Sequence, residues 1–130
     1  MLVNFEHVTQ NLNSEDKKIV PYLQKVLETK TIDKPALSEI IVWETNMLIR
    51  QAISTGNHSA KIKKIDDVKL RRLINYMRTH DILPVCSTSK GYFISYDKKV
   101  LEKQIVSLSQ RANSIMSCAY GLERFIKIEK

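Results

Sequence analysis

Residues 66–79 read Asp66-Asp67-Val68-Lys69-Leu70-Arg71-Arg72-Leu73-Ile74-Asn75-Tyr76-Met77-Arg78-Thr79. Leu70, Leu73, Ile74 and Met77 stand at i, i+3, i+4 and i+7, so a helix gathers all four on one apolar stripe. Asp66 is of the residue type that caps a helix by accepting a backbone N–H. At about 100° per residue the opposite face receives Val68, Arg72, Asn75 and Thr79, flanked by Arg71, Tyr76 and Arg78. The segment therefore predicts a helix that faces a core on one side and is basic on the other. Just beyond it, Leu83, Val85, Ser87 and Thr88 precede a turn at Ser89, Lys90 and Gly91, and Tyr92, Phe93, Ile94 and Ser95 follow. Two β-prone runs around a glycine-containing turn predict a short hairpin.

Upstream, Ser14 with Glu15 and Asp16 behind it predicts a helix start. Ile19, Leu23, Val26 and Leu27 mark its apolar stripe, and Pro21 requires that this helix bend or begin about a turn late. After a linker at Thr31 to Lys34, Pro35 suits the first turn of a second helix, where its missing N–H costs little. The apolar set expected for that helix is Leu37, Ile40, Ile41, Leu48 and Ala52, with Trp43 and Met47 alongside and Gly56 as its stop. Asn57 to Ile65 is polar and lysine-rich, a loop or short edge strand. Downstream of Asp97, Leu101, Ile105, Leu108, Ala112, Ile115, Ala119, Leu122 and Ile126 recur at alternating steps of four and three. That is a heptad seam of nearly four repeats, and Gly121 within it weakens the helix by about 1 kcal/mol. The chain thus divides into an arm at 1–13, a compact domain at 14–96 and a long C-terminal helix at 97–130.

The chain has 130 residues and a formal charge of +7, enough for one domain with its own core and an appended helix. The charge is concentrated: residues 61–103 carry eleven Lys or Arg against five Asp or Glu. A surplus confined to one segment favours a polyanionic partner. The longest apolar run is Ile40-Ile41-Val42-Trp43, far short of the roughly 20 residues that span a bilayer. With no basic or apolar leader at the start, a cytoplasmic protein is expected, in a bacterial host if the chain is phage-encoded. Cys86 and Cys118 are read as free, buried thiols.

Helix, helix, basic helix, hairpin, long helix is the order of a winged helix-turn-helix domain, mostly α with a small β-hairpin and followed here by a long C-terminal helix. Such a helix can enter the major groove of DNA while the hairpin touches the backbone beside it. Arg72 and Asn75, with Arg71 and Thr79 beside them, are the candidate base readers, because arginine pairs bidentately with guanine and asparagine with adenine. Lys69, Arg78 and Lys90, with Lys61, Lys63 and Lys64, are candidate phosphate contacts, and Ser87, Thr88 and Ser89 offer hydroxyls on the wing. About four to six phosphates could be neutralised in this way. Asp66 and Asp67 oppose the reading, since they stand at the helix end that usually approaches DNA.

Three stretches carry a resemblance: Leu70-Arg71-Arg72-Leu73-Ile74-Asn75-Tyr76-Met77-Arg78, then Ile82-Leu83-Pro84, then Ser87-Thr88-Ser89-Lys90-Gly91-Tyr92-Phe93-Ile94-Ser95. They resemble winged-helix proteins of bacteriophages and prophages, in which an R-x-I-x-x-x-R helix and an S-K-G-Y wing precede a helix similar to Ile105 through Arg111. Asn4-Phe5-Glu6 and Thr9 to Leu12 are also similar. The resemblance implies binding to double-stranded DNA, in transcriptional control or replication initiation.

Catalytic signals are absent from the spacing. His7, His58 and His80 show no mutual ligand pattern, and no glycine-rich loop suits a phosphate. No enzyme, metal, cofactor or small-molecule substrate is therefore expected. His80 reads as a partner of the helix C-terminal dipole or a DNA-facing residue. The 101–126 seam is expected to hold a homodimer, the alternative being that it packs on the chain's own helices. A second functional reading is an interaction adaptor whose basic face docks an acidic protein.

Overall fold

The computed structural model describes residues 12–56 and 63–128. The chain divides into two compact units between Ser95 and Tyr96. The first unit contains α1 (Ser14–Lys17), α2 (Val20–Leu27), α3 (Ser38–Ser54), α4 (Asp67–Thr79), β1 (Val85–Thr88) and β2 (Gly91–Ile94), and the second is α5 (Lys98–Ile128). With its helices followed by a hairpin, the first unit has the winged helix-turn-helix order. No helix among the described residues is long and apolar enough to cross a membrane.

The first helix begins one residue earlier than its capping pattern suggests. Asn13, in extended conformation, accepts the Asp16 N–H on its side chain at 2.8 Å, and Ser14 lies inside the helix. The chain then turns at Lys18 and Ile19, and α2 starts at Val20 with Pro21 in its first turn, where no intrahelical N–H donor is needed. Val20, Leu23, Val26 and Leu27 are buried.

Pro35 is not in a helix. Its segment is extended, and Ala36 exchanges two backbone hydrogen bonds with Tyr92, donating to its carbonyl at 3.0 Å and accepting its N–H at 2.8 Å. A proline cannot donate to a ladder, so it is suited to the border of such a strand. Helix α3 starts only at Ser38, after Leu37, and its buried face is Ile41, Thr45 and Ile49. Leu37 and Ile40 are about half exposed, and Trp43 is 64% exposed. The expected apolar set is therefore rotated: Thr45 takes a core position, and three larger apolar residues point outward. The helix ends as expected, with Gly56 at φ +77° beyond the cap.

Helix α4 follows its pattern. Asp66 accepts the Lys69 N–H at 2.8 Å, and Leu70, Leu73, Ile74 and Met77 are all buried. Its C-terminus closes through the Ile82 N–H on the Met77 carbonyl, with Asp81 at φ +55° in the place a glycine often takes.

The hairpin pairs Val85 with Ile94 and Thr88 with Gly91, leaving Ser89-Lys90 as a two-residue turn. Gly91 is thus the first residue of β2 and not part of the turn. The reason is steric: at φ +129°, a Cβ there would stand 2.3 Å from the Ala36 carbonyl oxygen. Only a glycine lets the Ala36 strand pass so close.

Helix α5 is 31 residues long, about 46 Å at 1.5 Å per residue. On it, the seam residues Ile105, Ile115, Leu122 and Ile126 are each more than half exposed.

Gly91→Ala combines a disfavoured φ with this backbone collision, so the variant is expected to lose at least about 2 kcal/mol of folding stability. Denaturant unfolding monitored by circular dichroism measures it. An unchanged midpoint would mean that the Ala36 strand does not constrain this position.

Candidate nucleic-acid interface

Burial of the Leu70, Leu73, Ile74 and Met77 stripe fixes the rotation of α4 about its axis, and with it the residues that face outward. The loop entering the helix is pinned from α3. Asn46 accepts the Ile65 N–H at 2.8 Å and donates to the Ile65 carbonyl at 3.1 Å, and Ile65 is buried. One side-chain amide thus satisfies both backbone groups of a residue 19 positions away, an arrangement that no local spacing announces.

On the outer face, Val68 and Arg71 are exposed, and Arg72 and Asn75 are half-buried. Thr79 is exposed, but its hydroxyl lies 2.9 Å from the Asn75 carbonyl and 3.2 Å from that of Tyr76, bonding back to the helix. Tyr76 stacks on His80 with ring centroids 4.0 Å apart, and His80 occupies the C-cap position of the helix.

Between α4 and the hairpin lies an open cleft of about 390 Å³, lined by Leu37, Ser38, Asp67, Arg71, Ser87, Thr88, Gly91 and Tyr92. It brings Arg71 together with two of the wing hydroxyls. The two acids that stood against the DNA reading both have partners: Asp66 caps the helix, and Asp67 pairs with Arg71 at 3.0 Å. On the wing, Thr88 Oγ1 accepts the Lys90 N–H at 3.2 Å and stabilises the turn that carries the Lys90 side chain. Ser89 and Lys90 are exposed, as are Lys63 and Lys64 on the loop, and Lys61 lies outside the described residues.

Two expected phosphate contacts are turned into the protein. Lys69 Nζ lies 2.6 Å from Asp16 Oδ1, whose side chain is only 7% exposed, and so ties α4 to α1. Arg78 is half-buried, and its Nε donates to the Val85 carbonyl at 2.8 Å, tying α4 to β1. Burial pushes the Cys86 thiol up from its ordinary range, with Arg78 pulling the other way. Among the described residues no group of three or more His, Cys, Asp or Glu is placed to hold a metal ion.

No protein-family model matches the sequence, and no curated protein or solved structure matches it significantly.

Lys69→Met would leave the Asp16 carboxylate buried without its counter-charge. Because Lys69 keeps some solvent access, the expected loss is about 2 kcal/mol, below the full cost of breaking a wholly buried pair. Asp16→Asn in the same chain should recover part of that loss, and a double-mutant cycle by urea denaturation measures the coupling. Additive losses would show that the two side chains do not stabilise each other.

Proposed function

We propose that this chain is a sequence-specific double-stranded DNA-binding protein of phage or mobile-element type, a cytoplasmic regulator or replication-origin binder that works as a homodimer. The observation that carries the reading is the outer face of α4, with Arg71 exposed and Arg72 and Asn75 half-buried, standing beside a tight hairpin across an open cleft that Arg71 lines. In this reading α4 enters the major groove with Arg71, Arg72 and Asn75 toward the bases. Lys90 and the loop residues Lys63 and Lys64 meet phosphates, and Ser87, Thr88 and Ser89 supply hydroxyl donors at the wing. Lys69 and Arg78 are assigned to the scaffold, because their charged ends bind Asp16 and the Val85 carbonyl.

With Lys63, Lys64 and Lys90 of each copy neutralising phosphates, the logarithm of the binding constant should fall against log salt with a slope of about −3 for each copy bound. Arg72→Ala or Asn75→Ala should relax base preference by about 1–3 kcal/mol, whereas Lys90→Ala should weaken all sequences alike and reduce the slope by about 1. Asp67→Asn, which releases Arg71 and removes a negative charge from the cleft, should tighten binding. Selection from random duplex DNA, followed by titrations at several salt concentrations, tests all of these. Equal losses on cognate and random DNA for the three alanine variants would overturn the assignment of readers.

The adaptor reading takes the same basic face as the dock for an acidic protein, and the exposed Leu37 on the adjoining cleft would add apolar contact to it. Absence of any salt-sensitive DNA binding would favour it over the DNA reading.

A further inference from the structure

The two rows of the α5 seam are not alike. One row is Ile105, Ala112, Ala119 and Ile126, and the other is Leu101, Leu108, Ile115 and Leu122. In a parallel, in-register pair each row meets itself, so Ala112 faces Ala112 and Ala119 faces Ala119. Those two layers would be thin, while the leucine and isoleucine layers around them hold the helix axes about 8–10 Å apart. In an antiparallel pair each row meets the other. About a two-fold axis between residues 113 and 114, Leu101 meets Ile126, Ile105 meets Leu122, Leu108 meets Ala119, and Ala112 meets Ile115.

Every alanine then lies opposite a branched side chain: the four central layers each set one large residue against one alanine, the four outer layers pair leucine with isoleucine, and no layer is left with alanine alone, as close packing of facing positions favours. All eight seam positions obey this one symmetry, and Gly121 falls outside the seam on the outer surface of the helix. Twelve leucine and isoleucine side chains from two copies, at roughly 60–120 Å² each, account for about 700–1,400 Å² of burial before the alanines are counted, the upper part of which reaches the roughly 1,000 Å² that a specific interface needs.

One pairing, made twice by the two-fold symmetry, opposes the alignment. Glu102 and Glu123, which flank the seam, face each other across the antiparallel pair. Lys98 Nζ lies 4.0 Å from Glu102, and both are exposed. Salt and water screen such a contact, so it weighs less than two unfilled core layers.

We infer that α5 pairs with the α5 of a second copy in antiparallel orientation, centred between residues 113 and 114. This rests on the homodimer reading above and adds its direction. The consequence is large: the two Lys98 residues, where the preceding domains join the helix, stand about 46 Å apart along the pair, whereas a parallel pair would set them side by side.

The test uses the full chain with Cys118→Ser, which removes the exposed thiol; Cys86 is buried and stays out of reach of the oxidant. Ile105→Cys and Leu122→Cys are made separately in this background. In the antiparallel pair each new thiol is about 25 Å from its own copy, too far for a disulfide, but adjacent to the other variant's thiol. Each variant alone should therefore remain uncrosslinked under oxidation, and a mixture allowed to exchange subunits should yield the 105–122 disulfide dimer. Crosslinking of each variant with itself would overturn the orientation while leaving the dimer standing. A monomer by sedimentation at high concentration, with no crosslink in the mixture, would overturn the dimer and the orientation with it.

Discussion

Leu70, Leu73, Ile74 and Met77 leave water together when α4 seats. At roughly 1.5–3 kcal/mol for each side chain, their burial amounts to about 6–12 kcal/mol, comparable with the whole net stability of a small domain. No rotation of the helix preserves that burial, so the outward direction of Arg71, Arg72 and Asn75 is set by residues on the other side of the helix. The hairpin depends on the same seating, because Val85 and Cys86 are buried at its base and Arg78 reaches from the helix to the Val85 carbonyl.

The positive charge of α4 divides into two kinds by where each side chain ends. Lys69 and Arg78 reach protein oxygens, one a carboxylate nearly removed from water and the other a backbone carbonyl. Each such bond orients the helix as well as offsetting the burial of a polar group, since an unpaired charge in that position would be costly. Arg71 ends at the surface, held by Asp67 one turn away. An exposed pair of this kind is weak, so Arg71 can exchange its carboxylate for a phosphate or a base edge at little cost.

Helix α5 raises a different physical problem. It runs for 31 residues with a row of isoleucine and leucine exposed along it. Long helices gain most of their stability by packing an apolar face, and propensity alone contributes little where serine, asparagine and Gly121 interrupt the sequence. A partner that matches the seam layer by layer removes that face from water, which is why the distribution of alanines along the seam has structural weight.

Much of this was legible in the order of residues. A period of 3.6 located α4, its cap and its core stripe, and β-prone runs around Ser89-Lys90 located the hairpin, because these signals depend only on neighbours within a few positions. The heptad of α5 was legible for the same reason. What the folded chain alone decided are contacts between residues far apart in sequence. Gly91 is required by the passage of Ala36 and not by the turn, Asn46 holds Ile65, Thr45 displaces larger apolar residues from the core, and Lys69 finds Asp16 across 53 positions. The site was legible only in part, because a lysine or arginine on a helix face has the same spacing whether it ends in water or on a buried oxygen. Local sequence specifies backbone conformation and which face is apolar, but the partner of a long charged side chain depends on which distant atoms the packed core brings within its reach.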